Sequence, residues 1–128
     1  MNDTTKNIFA IAVTGLWVNA SEFFRNEVLV KSYWLDHYRS LGLTFPSAPL
    51  NGMVWMVWGF LFALAIFIVS RKFDLKQTTL LCWLMVFVLM WIVAWNLAVF
   101  PLGLLVYAIP LSLLEVFVGA FLCKKFAP

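Results

Sequence analysis

The feature that most constrains the fold is the stretch from Thr79 to Leu122, in which Glu115 is the only charged side chain. As one helix this stretch would run roughly 66 Å, about twice the roughly 30 Å hydrocarbon core of a bilayer. The chain is therefore expected to cross a membrane, turn back and cross it again. A carboxylate inside such a stretch is costly unless a partner holds it, so Glu115 is the first candidate for a functional group.

Composition places the whole chain in the membrane class. The 128 residues are 64% hydrophobic and 12% charged, whereas soluble domains are about 25% charged. This contrast excludes an ordinary soluble enzyme, and the length fits a single domain, residues 1–128. The basic residues stand in short clusters beside apolar runs, so we expect no nucleic-acid partner. Cys82 and Cys123 lack metal-site spacing, and we expect no metal and no cofactor.

The sequence predicts an all-α integral membrane bundle of four transmembrane helices. Pro49–Ser70 is the clearest span, because it is uncharged and would reach about 33 Å as a helix. In the longer apolar stretch, Asn96, Pro101 and Gly103 supply turn chemistry and mark the reversal. The predicted spans lie at about residues 7–30, 49–70, 80–97 and 104–122.

The first span has two interpretations, because its apolar part, Ile8–Val18, is short and polar residues follow it. In one interpretation, a helix over residues 7–30 turns a stripe of small and polar side chains toward its neighbours. In the other, residues 1–20 are a signal peptide with Lys6, this short apolar core and a small-residue cleavage site ending at Ala20. Four spans are favoured, because Asp3 offsets Lys6 and leaves the N-terminal region poorly basic. The stripe comprises Gly15, Asn19, Glu22 and Asn26.

The basic residues predict the orientation of the bundle. Four crossings put the N-terminus, the loop of residues 71–77 and the C-terminus on one side, which then carries six of the nine lysines and arginines. The positive-inside rule places both termini in the cytoplasm, in what we take to be a bacterial inner membrane. Between the first two spans, Lys31–Ala48 is expected to form a short interfacial segment with its aromatic rings at headgroup level.

Glu115 shares a helix face with Ala108, Ser112 and Gly119, a spacing typical of close-packed membrane interfaces. A functional interpretation makes it a proton or cation site, or an anchor for a ligand amine. The structural interpretation is a protonated acid bonded to a neighbouring polar group. Both stay open at this point.

The densest polar cluster of any span contains Asn19, Glu22, Arg25 and Asn26. Glu22 and Arg25 are three residues apart and can pair on a helix. The cluster predicts either a binding cavity that opens outward or an ion pair at the interface with Arg25 extended toward water. Counting from the cytoplasmic ends of the spans separates Glu22 from Glu115 by about 10 Å along the membrane normal. The two acids would then be stations of a polar track, with Asn19 and Tyr107 as links.

The layout of four short spans with an acid in the first resembles that of small multidrug transporters. The chain departs from their pattern in the residues from Ala20 to Arg25, because those transporters place no charge next to the acid. The resemblance therefore implies a small four-helix bundle and gives no family assignment.

Three functions follow as hypotheses. The first is a bundle that binds or translocates a small amphipathic or cationic ligand, with Glu115 as the counter-charge. The second is a non-catalytic accessory or assembly subunit that packs against a larger membrane partner through Gly59 and Ala63. The third is a lipid-modifying membrane enzyme, which is disfavoured because no nucleophile has an adjacent base. A homodimer is also expected. The candidate ligand-binding residues are Glu115, Glu22, Asn19, Arg25, Asn26, Tyr107 and Ser112.

Overall fold

The computed structural model describes residues 1–128 and contains five helices and no strands. Four of them are long and apolar enough to span a membrane, which confirms the predicted all-α bundle of four such helices. The fifth is a short helix in the segment between the first two spans. The helices are α1 (Asp3–Leu29), α2 (Lys31–Ser40), α3 (Pro49–Ser70), α4 (Leu75–Asn96) and α5 (Leu102–Phe126).

Local sequence explains where the spanning helices begin and end. Asp74 caps α4, because its carboxylate accepts from the backbone N–H of Gln77 at 2.7 Å while the Gln77 side chain accepts from Asp74 N at 3.2 Å. Pro49 occupies the first turn of α3, where its missing N–H costs nothing. The predicted reversal lies between α4 and α5, and Ala98 adopts a left-handed conformation there with φ of 63°.

Several helices extend beyond the predicted spans. The helix α1 begins at Asp3 instead of residue 7, α4 begins at Leu75 instead of residue 80, and α5 ends at Phe126 instead of residue 122. In each case, polar or basic residues continue the helix past the apolar run that marked the span. Helix propensity and capping set these ends, whereas the predicted bounds followed hydropathy.

The helix α1 packs mainly against α3 and α5, and α4 packs against α5 and α3. Both termini lie at one end of the bundle, where the rings of Phe9 and Phe126 meet at 5.1 Å. The helix α2 lies at the opposite end, against the turn between α4 and α5, because His37 Nε2 donates to the carbonyl oxygen of Ala98 at 2.8 Å. Most large apolar side chains point outward, as expected of a surface that lipid covers.

Two of the spanning helices contain a π-helical segment. In α1 it covers Phe24–Leu29, and in α4 it covers Leu84–Val88. Such segments insert an extra residue into a turn and occur often at functional sites. The first segment carries Arg25 and the second carries Phe87, two residues that meet in the interior.

Candidate functional site

A buried arginine bridges two carboxylates at the centre of the bundle. The Nη2 atom of Arg25 donates to Glu22 Oε1 at 2.6 Å, and its Nη1 atom donates to Glu115 Oε1 at 3.2 Å. Glu22 and Arg25 belong to α1, whereas Glu115 belongs to α5, so this bridge joins the first and last helices. We call these three residues the ion cluster.

Arg25 is only 5% exposed, and its guanidinium lies over the ring of Phe87 with 5.4 Å to the ring centroid. The predicted pair with Glu22 is present, but of the two alternatives for this cluster, the one in which Arg25 extends toward water is wrong. Its side chain runs toward the N-terminal end of α1, the direction that helix geometry gives to long side chains, and so reaches Glu115. Arg25 lies within the π-helical segment of α1.

The predicted separation of about 10 Å between Glu22 and Glu115 is also wrong, because both acids bond to one guanidinium. The helix α5 continues to Phe126, which lies level with Phe9. Counted from that contact, Glu22 is 13 residues along α1 and Glu115 is 11 residues along α5, a difference of roughly 3 Å at the helical rise. The two acids therefore form one cluster.

Tryptophan and asparagine side chains fix the surroundings of the cluster. The indole of Trp17 donates to the backbone carbonyl of Glu115 at 2.9 Å. Asn26 donates to Glu22 Oε2 at 2.9 Å and accepts from the indole of Trp34 at 3.1 Å. Both carboxylate oxygens of Glu22 thus accept a hydrogen bond, one from Arg25 and one from Asn26. The Asn26 side chain is itself oriented by its bond with Trp34.

Glu115 is less completely satisfied than Glu22. The residue is fully buried, and its Oε2 atom has no hydrogen-bond partner. Ser112 lies one turn away on α5 but donates no hydrogen bond to Oε2. Its hydroxyl donates instead to the carbonyl of Ile109 at 3.2 Å and accepts from the indole of Trp83 at 2.9 Å. Arg25 is the only cation beside these two acids, and it bonds to one oxygen of each.

A cleft of about 620 Å³ lies on the other side of Glu22, between α1, α3 and residues 45–49. We call it the α1–α3 cleft. Its polar lining includes Asn19, Glu22 and Asn26, and its apolar lining includes Trp55 and Met56. The cleft brings together three of the predicted ligand-binding residues. Arg25, Glu115 and Ser112 lie behind them and do not line it.

The deep part of the cleft depends on a close approach of α1 to α3. The amide of Asn19 donates to the carbonyls of Gly15 at 2.9 Å and Met56 at 3.4 Å. Gly59 makes room for it, since a Cβ there would lie 2.7 Å from the Asn19 amide. Gly59 and Ala63 are buried within the bundle, so the hypothesis that these two residues contact a partner protein is wrong. Small residues allow close packing equally well inside one chain.

Tyr107 does not link the two acids. It is 42% exposed, and its ring contacts that of Tyr33 at 6.3 Å near the end of the bundle that carries α2. Sequence reasoning missed Trp17, Trp34 and Phe87, which support the cluster. Their indole and ring positions depend on helix packing, and the sequence offers no signal for it beyond a general excess of aromatic residues.

The structure contains no group of three or more His, Cys, Asp or Glu side chains that could hold a metal ion. No family model, curated protein or solved structure matches the chain. The geometry of the ion cluster and the α1–α3 cleft therefore carries the functional argument alone.

Proposed function

We propose that this integral membrane protein binds a small amphipathic cation in the α1–α3 cleft, with the Glu22 carboxylate as the counter-charge. The observation that carries the proposal is a carboxylate that lines a 620 Å³ cleft whose walls are partly aromatic and apolar. Pockets for small organic ligands combine such walls with a few placed polar groups. Glu115 takes the role of holding Arg25, and not the direct contact with ligand that the sequence suggested.

The contacts of Glu22 support a cationic ligand. Arg25 divides its donors between Glu22 and Glu115, so its guanidinium is not committed to Glu22 alone. A carboxylate in a low-dielectric interior attracts a positive charge. Because Glu22 is the only member of the cluster that lines the cleft, a cation in the cleft meets its charge there.

The position of the cleft supports entry from the surrounding membrane. Phe23 and Met56 lie in its walls and are half or more exposed on the outside of the bundle. Glu22 lies seven residues before the end of α1 at Leu29, a depth of roughly 10 Å at the helical rise. An amphipathic ligand can keep its apolar part among the wall side chains while its charge reaches Glu22. Binding is the first step of any translocation.

The proposal is tested with tetraphenylphosphonium, a lipophilic cation, in a thermal-unfolding titration of the detergent-purified protein. Saturating probe should stabilise the wild type, by about 2.7 kcal/mol at a concentration of one hundred times Kd. The uncharged triphenylphosphine oxide should bind at least tenfold more weakly. Equal stabilisation by the charged and uncharged probes would contradict the proposal.

Three variants separate the role of Glu22 from general effects. Glu22→Gln should weaken binding of the cation at least tenfold, whereas Asp36→Asn should leave it unchanged, because Asp36 is an exposed acid at the same end of the bundle and outside the cleft. Met56→Trp fills the cleft without touching the ion cluster, and it should also abolish binding. Retained binding in both Glu22→Gln and Met56→Trp would refute the cleft as the site.

We also propose that both termini face the cytoplasm of a bacterial inner membrane and that α2 lies at the opposite interface. Six of the nine lysines and arginines lie at the end that carries the termini, and the positive-inside rule supports this assignment.

The alternative of an accessory subunit remains a proposal, as does a homodimer. The accessory-subunit proposal first rested on Gly59 and Ala63 as partner contacts. Both residues are buried inside the bundle, so a partner would have to use the exposed apolar surface. Recovery of the tagged protein from mild detergent as a lone monomer would count against both. A lipid-modifying enzyme stays the least favoured, because the Ser112 hydroxyl is occupied by Trp83 and Ile109.

A further inference from the structure

We propose that the end of the bundle that carries both termini binds the headgroups of anionic phospholipids. Six basic side chains lie there, against two acidic ones, an excess of four positive charges. We call this the basic end, and its basic residues are Lys6, Arg71, Lys72, Lys76, Lys124 and Lys125. At the opposite end, Lys31 and Arg39 are balanced by Glu27 and Asp36.

The acids of the basic end pair with only one of these cations. Asp3 pairs with Lys6 at 3.9 Å. Asp74 is used to cap α4, where its carboxylate accepts from the backbone N–H of Gln77. Arg71, Lys72, Lys76, Lys124 and Lys125 therefore form no salt bridge with any acid of the chain.

The geometry brings cations of two helix ends together. Lys124, near the end of α5, donates to the carbonyl of Ser70 at the end of α3 at 3.0 Å. Arg71 follows Ser70 directly, so the two basic residues belong to the same junction between the ends of α3 and α5. The Lys124 ammonium is partly committed to that carbonyl, whereas Arg71, Lys72 and Lys125 are exposed.

Aromatic rings hold two of these cations at the level where the apolar surface ends. The Arg71 guanidinium lies 4.7 Å from the ring centroid of Phe67, and the Lys125 ammonium lies 5.9 Å from that of Phe121. Phe121 is 44% exposed on the outside of the bundle, where acyl chains would contact it. A phosphate attached to such a chain would meet the cations directly above the ring.

Charge complementarity thus favours a phospholipid with net negative charge over a zwitterionic one. Basic residues near a membrane surface contribute about 1 kcal/mol each to the attraction of anionic lipid, which corresponds to roughly a fivefold change in affinity. Binding at the basic end does not depend on the α1–α3 cleft, which lies toward the other end of the bundle.

The experiment is native mass spectrometry of the full chain released from micelles that contain phosphatidylglycerol or phosphatidylcholine. The wild type should retain phosphatidylglycerol at least tenfold more than phosphatidylcholine. The double variant Lys72→Gln/Lys125→Gln should lower that preference by roughly tenfold or more. Both side chains are exposed, and the lysine ammonium groups that donate hydrogen bonds are those of Lys31 and Lys124. The fold of the double variant should therefore persist, which a melting temperature equal to that of the wild type verifies.

The matched control is Arg39→Gln, which removes one exposed charge at the opposite end and should leave the lipid preference unchanged. Equal retention of the two lipids by the wild type would overturn the proposal. So would an equal loss of preference per removed charge in Arg39→Gln and in the double variant, because net charge alone would then explain the binding.

Discussion

Arg25 donates to Glu22 and Glu115 at unequal distances, 2.6 and 3.2 Å, and the two partners have different surroundings. Glu22 accepts further donation from Asn26 and faces the cleft, whereas one oxygen of Glu115 has no partner in the interior. A buried ion pair is a weak source of stability in itself, but loss of one partner leaves an uncompensated charge. At the scale of the residue, Arg25 is therefore the least replaceable member of the cluster.

Replacement of Arg25 tests this directly. Arg25→Gln should lower the free energy of unfolding by about 3–5 kcal/mol, because the buried Glu22 carboxylate then loses its counter-charge and Glu115 loses its side-chain donor. Arg25→Lys should be intermediate, since an ammonium keeps the charge but lacks the planar fork that reaches two carboxylates. Denaturant titration in mixed micelles measures both. If Arg25→Gln unfolds like the wild type, Arg25 does not bridge the acids.

The sequence predicts the members of the cluster better than their arrangement. Glu115, Glu22 and Arg25 stand out because charges are rare in apolar spans. Their convergence depends on the relative height of α1 and α5, and a four-residue error at the end of α5 shifts that height by about 6 Å. The sequence gives the type of each residue directly. The relative height of two helices that are distant in the chain depends on how they pack, which the sequence does not give.

At the scale of the helix, close approach of α1 and α3 positions the cleft. Asn19 fits against Gly59 and bonds to backbone carbonyls of both helices. The spacing of Gly59 and Ala63 in the sequence indicates a close helix contact. It does not reveal that the helix in contact is α1 or that the Asn19 side chain lies against Gly59. Both π-helical segments also escape prediction, because no side chain within them is diagnostic of the extra residue.

Substitution of glycines in α3 tests the packing. Gly59→Ala should lower the free energy of unfolding by about 1–3 kcal/mol, because the added methyl meets the bonded Asn19 amide. Gly52→Ala in the same helix meets nothing within 4 Å and should be neutral or slightly stabilising, since alanine favours the helix. The comparison of their unfolding midpoints decides the matter. Equal midpoints would mean that α1 and α3 do not approach at Gly59.

At the scale of the whole molecule, hydropathy predicts four helices because the apolar runs are long and charges bound them. The short helix α2 and the aromatic contacts that hold its segment lie outside that signal. Trp34 stacks on Phe45 at 5.8 Å and meets the edge of Phe100 at 5.7 Å. The contact with Phe100 joins segments far apart in the chain, and hydropathy carries no information about either contact.

The proposed topology is tested with reporter fusions in bacterial cells. Alkaline phosphatase is active only outside the cytoplasm. It should be inactive when fused after Pro128, because four crossings place the C-terminus on the same side as the N-terminus. It should be active when fused after Leu43, because one crossing separates Leu43 from the N-terminus. A green fluorescent protein fused at Pro128 should fluoresce. The reverse pattern at both positions would contradict the assignment of the termini to the cytoplasm.

The most direct test of the central claim, that one guanidinium joins α1 to α5 through Glu115, is a double-mutant cycle of unfolding free energies. The variants are Arg25→Gln, Glu115→Gln and the two combined, each measured beside the wild type. We expect the combined variant to be less destabilised than the sum of the single ones, with a coupling of about 1–3 kcal/mol. Additive effects within about 0.5 kcal/mol would show that Arg25 and Glu115 do not interact, and would contradict the account.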